Sequence, residues 1–304
     1  MKKKLKILIV GGTGFIGHNL IKKLCQNKKY SIYSLSISNL KKFKKLKNVI
    51  YLKADTGNYL KLKRSLKNRK FDHVVNCVGY IEHKNIRNIY NNHFKSCVNL
   101  YNYFREKELK SFIQIGSSSE YGNLKSPQKE FAYCKPKNIY GQIKLKSTNF
   151  LLEKFKKNDF PVIILRFYQV YGPYQSINRF IPLLIYSSLK NISLGVSHGK
   201  QKRDFLYVDD AVKAIVKSLS AKESLGRIIN IGSGKTIKLL NIMKRIKKKI
   251  GGGKLIFKKI KLRKDEPMIV YPSVKNAKTL LKWKPKISFL SGLQKTINFY
   301  KKYY

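Results

Sequence analysis

Tyr140 and Lys144 stand four residues apart, a spacing that would put a phenol and an ammonium on one face of a helix. A cation so close favours the ionised phenol and makes that side chain a usable acid or base in proton transfer. The pattern alone is weak, because the 20 Tyr residues of this Lys-rich chain form eight such pairs. Context selects this pair: it begins a predicted helix behind Pro136, whereas the same proline excludes a helical spacing of Tyr133 and Lys137.

A glycine-rich stretch, GGTGFIG at residues 11–17, lies between the first predicted strand and the first predicted helix. Glycines let the backbone turn tightly and approach a pyrophosphate, which binds at the positive N-terminus of the helix. Because the stretch directly follows a buried strand, we expect it to bind a dinucleotide. The cofactor contacts expected from it are Gly11, Gly14, Phe15, Ile16 and Gly17.

No Asp or Glu precedes Asp55, although the NAD fingerprint adds a carboxylate about 20 residues after the loop to bind the ribose 2′-OH. The second predicted strand ends instead at Ser36, and Lys41 and Lys42 follow. These side chains would tolerate or attract a 2′-phosphate, although the lysines also follow the bias of the whole chain. The sequence therefore favours NADP(H), with NAD(H) as the alternative.

The charge balance is strongly basic, with 66 Lys and Arg against 15 Asp and Glu and a formal net charge of +51. Such a balance is typical of proteins that meet nucleic acid, an anionic membrane or an anionic substrate. Lys, Ile, Asn and Tyr are all over-used, however, which indicates a general bias at surface positions. The few carboxylates exclude an acidic tail or an EF-hand protein.

The four cysteines are scattered with no C-x-x-C spacing, which favours a reduced, cytoplasmic chain without a metal site. The apolar run at residues 5–10 ends in two glycines and is too short for a signal peptide or a membrane span. We expect a soluble protein.

Short apolar runs alternate with amphipathic segments in the first half of the chain. Strands are predicted over residues 5–10, 30–36, 49–52, 72–78, 112–115 and 162–167, and helices over 15–25, about 90–107 and about 138–157, with a Lys-rich and a polar helix flanking the third strand. Such alternation predicts parallel βαβ units, an α/β fold with a Rossmann-type doubly wound parallel sheet.

Beyond residue 170 the pattern loosens, with helices predicted near 209–219, 237–250 and 289–301. We expect an NAD(P)-binding Rossmann domain over residues 1–172, which carries the catalytic residues. A smaller mixed α/β lobe over 173–304 would mostly bind substrate, with part of 203–232 returning to the Rossmann sheet.

Several motifs in one order resemble the extended short-chain dehydrogenase/reductases that act on nucleotide sugars, the NAD(P)-dependent epimerase/dehydratase family. They are GGTGFIG at 11–17, KADT at 53–56, NCVG at 76–79, Ser117 before Tyr121-Gly122, Tyr140 with Lys144, LRFYQVYGP at 165–173, RDFLYVDD at 203–210, NIGSG at 230–234 and WKP at 283–285. The resemblance runs nearly end to end.

The resemblance implies a catalytic set of Ser117, Tyr140 and Lys144. Lys144 would hold the nicotinamide ribose and acidify Tyr140, which exchanges a proton with a sugar oxygen that Ser117 also hydrogen-bonds. It also implies that Asp55 contacts the adenine. The further cofactor contacts expected are Ser36, Thr56 and Val78, beside Tyr140 and Lys144 themselves.

The substrate implied is a nucleotide-diphosphate sugar. Ser117, Ser119, Tyr140, Gln169, Arg203 and Arg263 are the expected substrate contacts, with the two arginines clamping the diphosphate as fork-shaped donors. Two alternatives stay open: Arg203 in a structural ion pair with Asp209 or Asp210, and Ser119 as a turn former. Gln169 replaces the Asn of most relatives.

Three reactions share this scaffold. The dehydratases follow the catalytic Ser/Thr with Asp-Glu, where this chain has Ser118-Ser119 and places Glu120 one position late. Epimerases keep a captive NAD and usually show the second-strand acid, so its absence favours reduction of a 4-keto (deoxy)sugar nucleotide, with 4-epimerisation as the alternative.

Some members of the wider family bind RNA, and the net charge would fit that role. Against it stand the full Ser117, Tyr140 and Lys144 set and the lack of a recognised RNA motif. We therefore expect no nucleic-acid partner. The resemblance also implies a homodimer through the helices at about 90–107 and 138–157.

Overall fold

The computed structural model describes residues 4–37, 45–79, 85–262 and 266–304. Its strands are β1 (Leu5–Val10), β2 (Tyr30–Ser36), β3 (Val49–Lys53), β4 (His73–Asn76), β5 (Ser111–Ser117), β6 (Val162–Phe167), β7 (Gln169–Tyr171), β8 (Leu194–Gly195), β9 (Lys202–Arg203), β10 (Phe205–Tyr207), β11 (Ile228–Ile231), β12 (Ile237–Lys238), β13 (Leu255–Ile256) and β14 (Ile269–Val270). Its α-helices are α1 (Phe15–Leu24), α2 (Tyr59–Leu66), α3 (Ile86–Tyr90), α4 (Ser96–Phe104), α5 (Ile139–Asn158), α6 (Phe180–Leu189), α7 (Val208–Ser218), α8 (Leu239–Ile250), α9 (Lys275–Leu280) and α10 (Phe289–Lys301). A π-helical turn (Asn91–Lys95) joins α3 to α4, and single 3₁₀ turns cover Ser118–Tyr121 and Lys222–Ser224.

Seven parallel strands form the central sheet in the order β11-β6-β5-β4-β1-β2-β3. The order reverses between β1 and β4, so that Val10 at the end of β1 pairs with Leu35 on one side and Asn76 on the other. A crevice at the carboxyl ends of the strands follows from such a switch point. The predicted Rossmann-type doubly wound sheet is confirmed.

Alternation along β1 shows how the sheet divides the core into two layers. Ile7 and Ile9 belong to one buried cluster, with helices α1 and α7, whereas Leu8 and Val10 belong to the other, on the side of α2 and α4. All four side chains are fully buried, and each such burial stabilises the fold by about 1.5–3 kcal/mol. A sheet covered on both faces explains why its strands read as continuous apolar runs.

The second half of the chain adds three small sheets, which pair β10 with β7, β12 and β14 with β9, and β13 with β8. Helices α7, α8 and α10 confirm those predicted near 209–219, 237–250 and 289–301. Strand β11 leaves this half and pairs with β6 at the edge of the central sheet. The division of the chain at residue 172 stays a prediction.

The helix predicted over about 90–107 differs from the structure. It begins earlier, at Ile86 behind the N-cap residue Asn85, and the π-helical turn at Asn91–Lys95 interrupts it before α4 ends at Phe104. Most of the predicted Lys-rich helix, Lys41 and Lys42 with it, lies outside the described residues, as does Arg263.

No helix within the described ranges has the length and apolar character needed to cross a membrane. The same part of the chain brings no three His, Cys, Asp or Glu side chains together in a way that could hold a metal ion.

Candidate active site and cofactor cleft

The loop between β1 and α1 forms one wall of a cleft at the carboxyl ends of the strands. Its backbone turns at Gly11 with φ of +79°, and a Cβ there would lie 2.9 Å from the carbonyl carbon of Cys77. A Cβ on Gly17 would lie 2.3 Å from the carbonyl oxygen of Gly11, so α1 could not pack this closely on the loop. Both positions therefore need glycine.

The N-terminus of α1 fits a diphosphate. Its N-cap residue, Gly14, has no side chain to occupy the first N–H groups, and the first turn carries no acid. Those N–H groups and the positive end of the helix dipole favour an anion. Gly11, Thr13 and Gly14 line a cleft of about 190 Å³, and the other wall of that cleft carries the predicted adenosine contacts.

Four predicted cofactor contacts line this cleft beyond the loop, namely Ser36, Asp55, Thr56 and Val78. The Ser36 hydroxyl accepts a hydrogen bond from the Thr13 N–H at 3.1 Å, which fixes the loop against the end of β2. Asp55 Oδ1 accepts from the Gly57 N–H at 2.8 Å, which holds the carboxylate at the mouth of the cleft. These residues fit a dinucleotide extending from the loop towards β3. Phe15 and Ile16 are half-buried in the first turn of α1 and pack against the core.

A second, wider cleft of about 530 Å³ adjoins the first and shares Ile37, Ala54 and Asp55 with it. Its remaining wall carries Lys53 at the end of β3, and Lys61 and Arg64 on α2, all three exposed. Asp55 is the one acid among the described residues that line it. The ribose end of the cofactor cleft therefore opens onto a basic surface.

Helix α5 carries Tyr140 and Lys144 on one face. Asn138 caps the helix by accepting the Gly141 N–H at 2.8 Å, so Tyr140 falls in its first turn. Lys144 is buried, and its Nζ donates to the carbonyl oxygen of Ile115 on β5 at 2.5 Å. The Tyr140 ring meets the ring of His93, in the π-helical turn, edge to face with centroids 5.2 Å apart.

The turn after β5 lies directly against the start of α5. A Cβ on Gly141 would lie 2.4 Å from the carbonyl oxygen of Ser119, so the two segments touch through their backbones. Ser117 is the N-cap residue of that turn, and its hydroxyl accepts the Ser119 N–H at 3.2 Å. The predicted catalytic residues thus lie on two segments in contact.

Glu120 is fully buried and paired. Its Oε2 accepts hydrogen bonds from Arg166 Nε and from the Thr148 hydroxyl, both at 2.8 Å, and its Oε1 accepts the Ser117 N–H at 2.7 Å. The guanidinium of Arg166 also stacks over the Tyr121 ring, 4.6 Å from its centroid. A carboxylate held in this way by three donors has no access to a ligand.

A polar cleft of about 370 Å³ lies on the other side of the turn. It brings together Ser119, Gln169 and Arg203, three of the predicted substrate contacts, with Glu266 opposite. Arg203 pairs with Glu266, with Nη2 and Oε1 2.5 Å apart, and with neither Asp209 nor Asp210, the partners considered from the sequence. The Gln169 side chain is exposed to this cleft.

The model of the NAD dependent epimerase/dehydratase family matches residues 7–232 of the chain, which include the glycine loop, Ser117, Tyr140 and Arg203. The chain belongs to this family. It is an enzyme of the nucleotide-sugar epimerase/dehydratase type, with a Rossmann fold.

Relatives cover almost the whole chain. A Bacillus subtilis protein named as an uncharacterized UDP-glucose epimerase, YtcB, is 28% identical over 97% of this chain and 98% of its own length. The dTDP-D-glucose 4,6-dehydratase of Bos taurus is 27% identical over 97% and 88%. The UDP-glucuronic acid 4-epimerase of Bacillus cereus, solved with UDP-glucuronic acid and NAD, is 26% identical and covers 99% of this chain and 100% of its own, with a TM-score of 0.90.

Some residues that line the clefts of this protein were not predicted from its sequence. A further cleft of about 160 Å³ shares Gln169 with the polar cleft and is lined by Gln175, Asn178 and Arg179. The segment that follows the motif at 165–173 supplies them, and its polar residues were the available signal. Glu266 was missed because it pairs with Arg203 from 63 residues away.

Two aspartates of the family member's motif at 203–210 serve the structure. Asp204 accepts the N–H groups of Ser233 and Gly234 and is fully buried, which raises its pKa to about 6. Asp210 accepts the N–H groups of Lys286 and Ile287 through Oδ2 and so fixes the segment before α10. These contacts fix segments of the second half of the chain to one another.

Proposed function

We propose that this enzyme reduces the 4-keto group of a nucleotide-diphosphate (deoxy)sugar, with NADPH as the hydride source and Tyr140 as the proton donor. The observation that carries the proposal is the basic, nearly carboxylate-free end of the cofactor cleft. A cofactor that is consumed must enter from solution, and discrimination for NADPH is the property that a reductase needs and a captive-cofactor epimerase does not.

The residues divide the work of reduction between them. When bound, NADPH supplies a hydride to C4 of the sugar. Tyr140 gives its phenolic proton to the C4 oxygen, so the carbonyl becomes a secondary alcohol. Lys144 keeps its ammonium beside the phenolate that Tyr140 becomes, and Ser117 donates a hydrogen bond to the same sugar oxygen.

The substrate diphosphate would occupy the polar cleft at Arg203. The guanidinium is held in place there by Glu266, 2.5 Å from Nη2, while Nη1 donates to the carbonyl oxygens of Lys202 and Met268, so its positive charge is fixed at the wall of this cleft. Gln169 faces the same cleft as an amide that both donates and accepts. The nucleoside of the substrate would extend into the neighbouring cleft at Asn178 and Arg179.

Preference for NADPH over NADH is supported by the cleft beyond Ser36. A 2′-phosphate there would face Lys53, Lys61 and Arg64. In an NAD-type site a carboxylate takes this place and would repel the phosphate. The Ser36 hydroxyl, held by the Thr13 N–H, still has its own proton to donate to that phosphate.

Dehydration is disfavoured by the state of Glu120. Elimination of water needs a free acid and a free base beside the catalytic serine, and Ser118 and Ser119 supply neither. The carboxylate that follows them, Glu120, already accepts hydrogen bonds from Arg166, Thr148 and the backbone N–H of Ser117.

The second candidate is 4-epimerisation of a nucleotide sugar with a retained NAD. It is favoured by the likeness to the Bacillus cereus UDP-glucuronic acid 4-epimerase, which extends over its full length and which was solved with NAD. The same Tyr140, Lys144 and Ser117 would serve both directions of hydride transfer.

One experiment separates the two candidates. The purified protein is denatured and the released nucleotides are identified, and the native protein is assayed with UDP-4-keto-6-deoxyglucose plus NADPH at 340 nm and with UDP-glucose and UDP-glucuronic acid without added cofactor. Reduction requires stoichiometric NADPH consumption and a cofactor-free preparation. Retained NAD with conversion of either UDP-sugar and no NADPH consumption would replace the reductase by the epimerase.

A homodimer is the assembly that this surface supports best. Helix α5 and the π-helical turn carry an open groove of about 540 Å³, lined by Phe94, Leu145 and Phe150. Tyr90 is exposed at its edge, and Lys146 lies over the Phe94 ring at 4.5 Å. A second copy of the same face would cover these apolar side chains, in line with the implied interface.

A further inference from the structure

Glu120 joins the turn that carries Ser117 to the helix that carries Tyr140. One carboxylate oxygen accepts the Ser117 N–H at 2.7 Å, and the other accepts the Thr148 hydroxyl at 2.8 Å. Both bonds are made by one rigid, fully buried group, so a shift of α5 is transmitted to the backbone of Ser117.

Thr148 lies on the catalytic face of α5. It follows Lys144 by four residues and Tyr140 by eight, and residues at these spacings stack along one side of a helix. Lys144 and Thr148 are both buried on that side. The helix therefore contacts β5 and its following turn at two points, through Lys144 to the Ile115 carbonyl and through Thr148 to Glu120.

Arg166 completes the charge balance of this cluster. Its Nε donates to the same carboxylate oxygen as Thr148, from the central strand β6. A Cβ on Gly116 would lie 2.7 Å from Glu120 Oε1, so the strand leaves room for the carboxylate only at a glycine. A buried ion pair of this kind is weak evidence for stability, whereas it is well suited to fixing geometry.

We propose that Thr148 and Glu120 are positioning residues, which hold Ser117 at a fixed place relative to Tyr140. The inference rests on the proposed function only for the catalytic purpose of this positioning. The hydrogen bond from Thr148 to Glu120 is itself independent of any substrate. Neither residue touches the reacting atoms. Loss of the bond would leave Ser117 free to drift from the oxygen that it and Tyr140 must share.

The experiment compares Thr148→Val, which removes the hydroxyl at equal volume, with Thr148→Ser, which keeps it. Thr296→Val is the matched control: Thr296 is also fully buried, and its hydroxyl bonds a carbonyl, that of Gly292, in the remote helix α10. All are studied in the full chain by backbone hydrogen exchange, by thermal unfolding, and by NADPH-dependent reduction of UDP-4-keto-6-deoxyglucose.

Hydrogen exchange tests, without any substrate, whether the hydrogen bond from Thr148 to Glu120 holds the turn at Ser117 in place. Thr148→Val should speed the exchange of amides in residues 117–121 by about tenfold or more while the central strands keep their protection, and Thr148→Ser should restore the wild-type rate. Unchanged exchange at 117–121 in Thr148→Val overturns the proposal, whatever the enzyme's substrate is.

Turnover tests whether this hydrogen bond serves catalysis by positioning Ser117. Thr148→Val should lower kcat by about tenfold, up to the roughly hundredfold that a misplacement of 1 Å costs, with little change in KM. In a Ser117→Ala background the same substitution should cost nothing further, because the residue it positions is gone. An equal loss in both backgrounds, or the same loss in Thr296→Val, would make the role merely structural, and no turnover by the wild type would reject the proposed function alone.

Discussion

Lys144 Nζ lies 2.5 Å from the carbonyl oxygen of Ile115 and donates a hydrogen bond to it, from a position where 4% of the residue is exposed. One ammonium thereby joins helix α5 to β5 at Ile115, two residues before Ser117. Burial of a lysine is costly unless its donors are bonded, so the contact fixes the ammonium group of a residue that follows Tyr140 by one helical turn.

Tyr140→Phe should lower turnover strongly and leave cofactor binding intact, because it removes the proton donor and keeps the ring that packs on His93. The expected loss in kcat is about a hundredfold or more. Reduction of the 4-keto sugar nucleotide and NADPH fluorescence titration measure the two properties on one preparation. Undiminished kcat in this variant would remove Tyr140 from the mechanism.

The basic cleft makes a prediction about cofactor choice. Replacing both Lys61 and Arg64 by glutamine should weaken NADPH binding by about twofold to thirtyfold and leave NADH unchanged, since exposed charge pairs contribute about 0.2–1 kcal/mol each. The difference should shrink at high salt. Lys63→Gln is the control, an exposed lysine on the same helix that does not line the cleft. Equal weakening for NADPH and NADH would contradict a 2′-phosphate site.

Dissociation of the proposed dimer is expected from Leu145→Asp. Leu145 lines the groove on α5, and a carboxylate there would be buried against apolar side chains of the second copy. Sedimentation velocity of wild type should give twice the chain mass, and the variant should shift to the monomer. Leu290→Asp, at an exposed leucine of α10, should stay dimeric. A monomeric wild type would refute the interface directly.

Acid should destabilise the protein partly through His73. Burial lowers the pKa of this imidazole to about 4 from its usual 6.5, and its Nδ1 lies 2.8 Å from the Ser111 hydroxyl. The unfolded chain binds the proton first, so the contribution is complete above pH 6.5 and is lost as the pH falls towards 4, by about 3 kcal/mol.

Urea unfolding of wild type and His73→Asn between pH 7 and pH 4 measures that contribution. The gap in unfolding free energy between the two proteins should change by this amount across the window. His18, whose pKa burial also lowers to about 4, remains in both proteins and cancels. A constant gap would mean that His73 does not titrate there.

The local sequence pattern was enough to place three strands of the central sheet and helix α5. Strands β1, β2 and β6 begin and end where predicted, and α5 is displaced by a single residue at each end, because apolar runs and the Asn138 cap are signals within the segment itself. The interruption of the predicted helix at Asn91–Lys95 has no comparable signal. A π-helical turn is decided by what packs on it, here α5 with Tyr140.

The site divides in the same way. Glycine spacing and the Tyr140–Lys144 spacing are local, so the sequence could point to the loop between β1 and α1 and to helix α5, whose roles stay predictions. Glu120 was visible beside Ser117, but its partners come from 28 and 46 residues away and no spacing rule identifies them. The ion pair of Arg203 with Glu266 was hidden for the same reason.

Strand β11 has a consequence for synthesis of the chain. It is added to the sheet beside β6 only after the intervening residues 168–227 have been made, and β6 is buried along its whole length in the finished fold. A nascent chain, or a fragment cut after residue 172, would present the unpaired N–H and C=O groups along one edge of β6 to solvent and to other chains. Completion of the central sheet therefore waits until residues 228–231 have been synthesised.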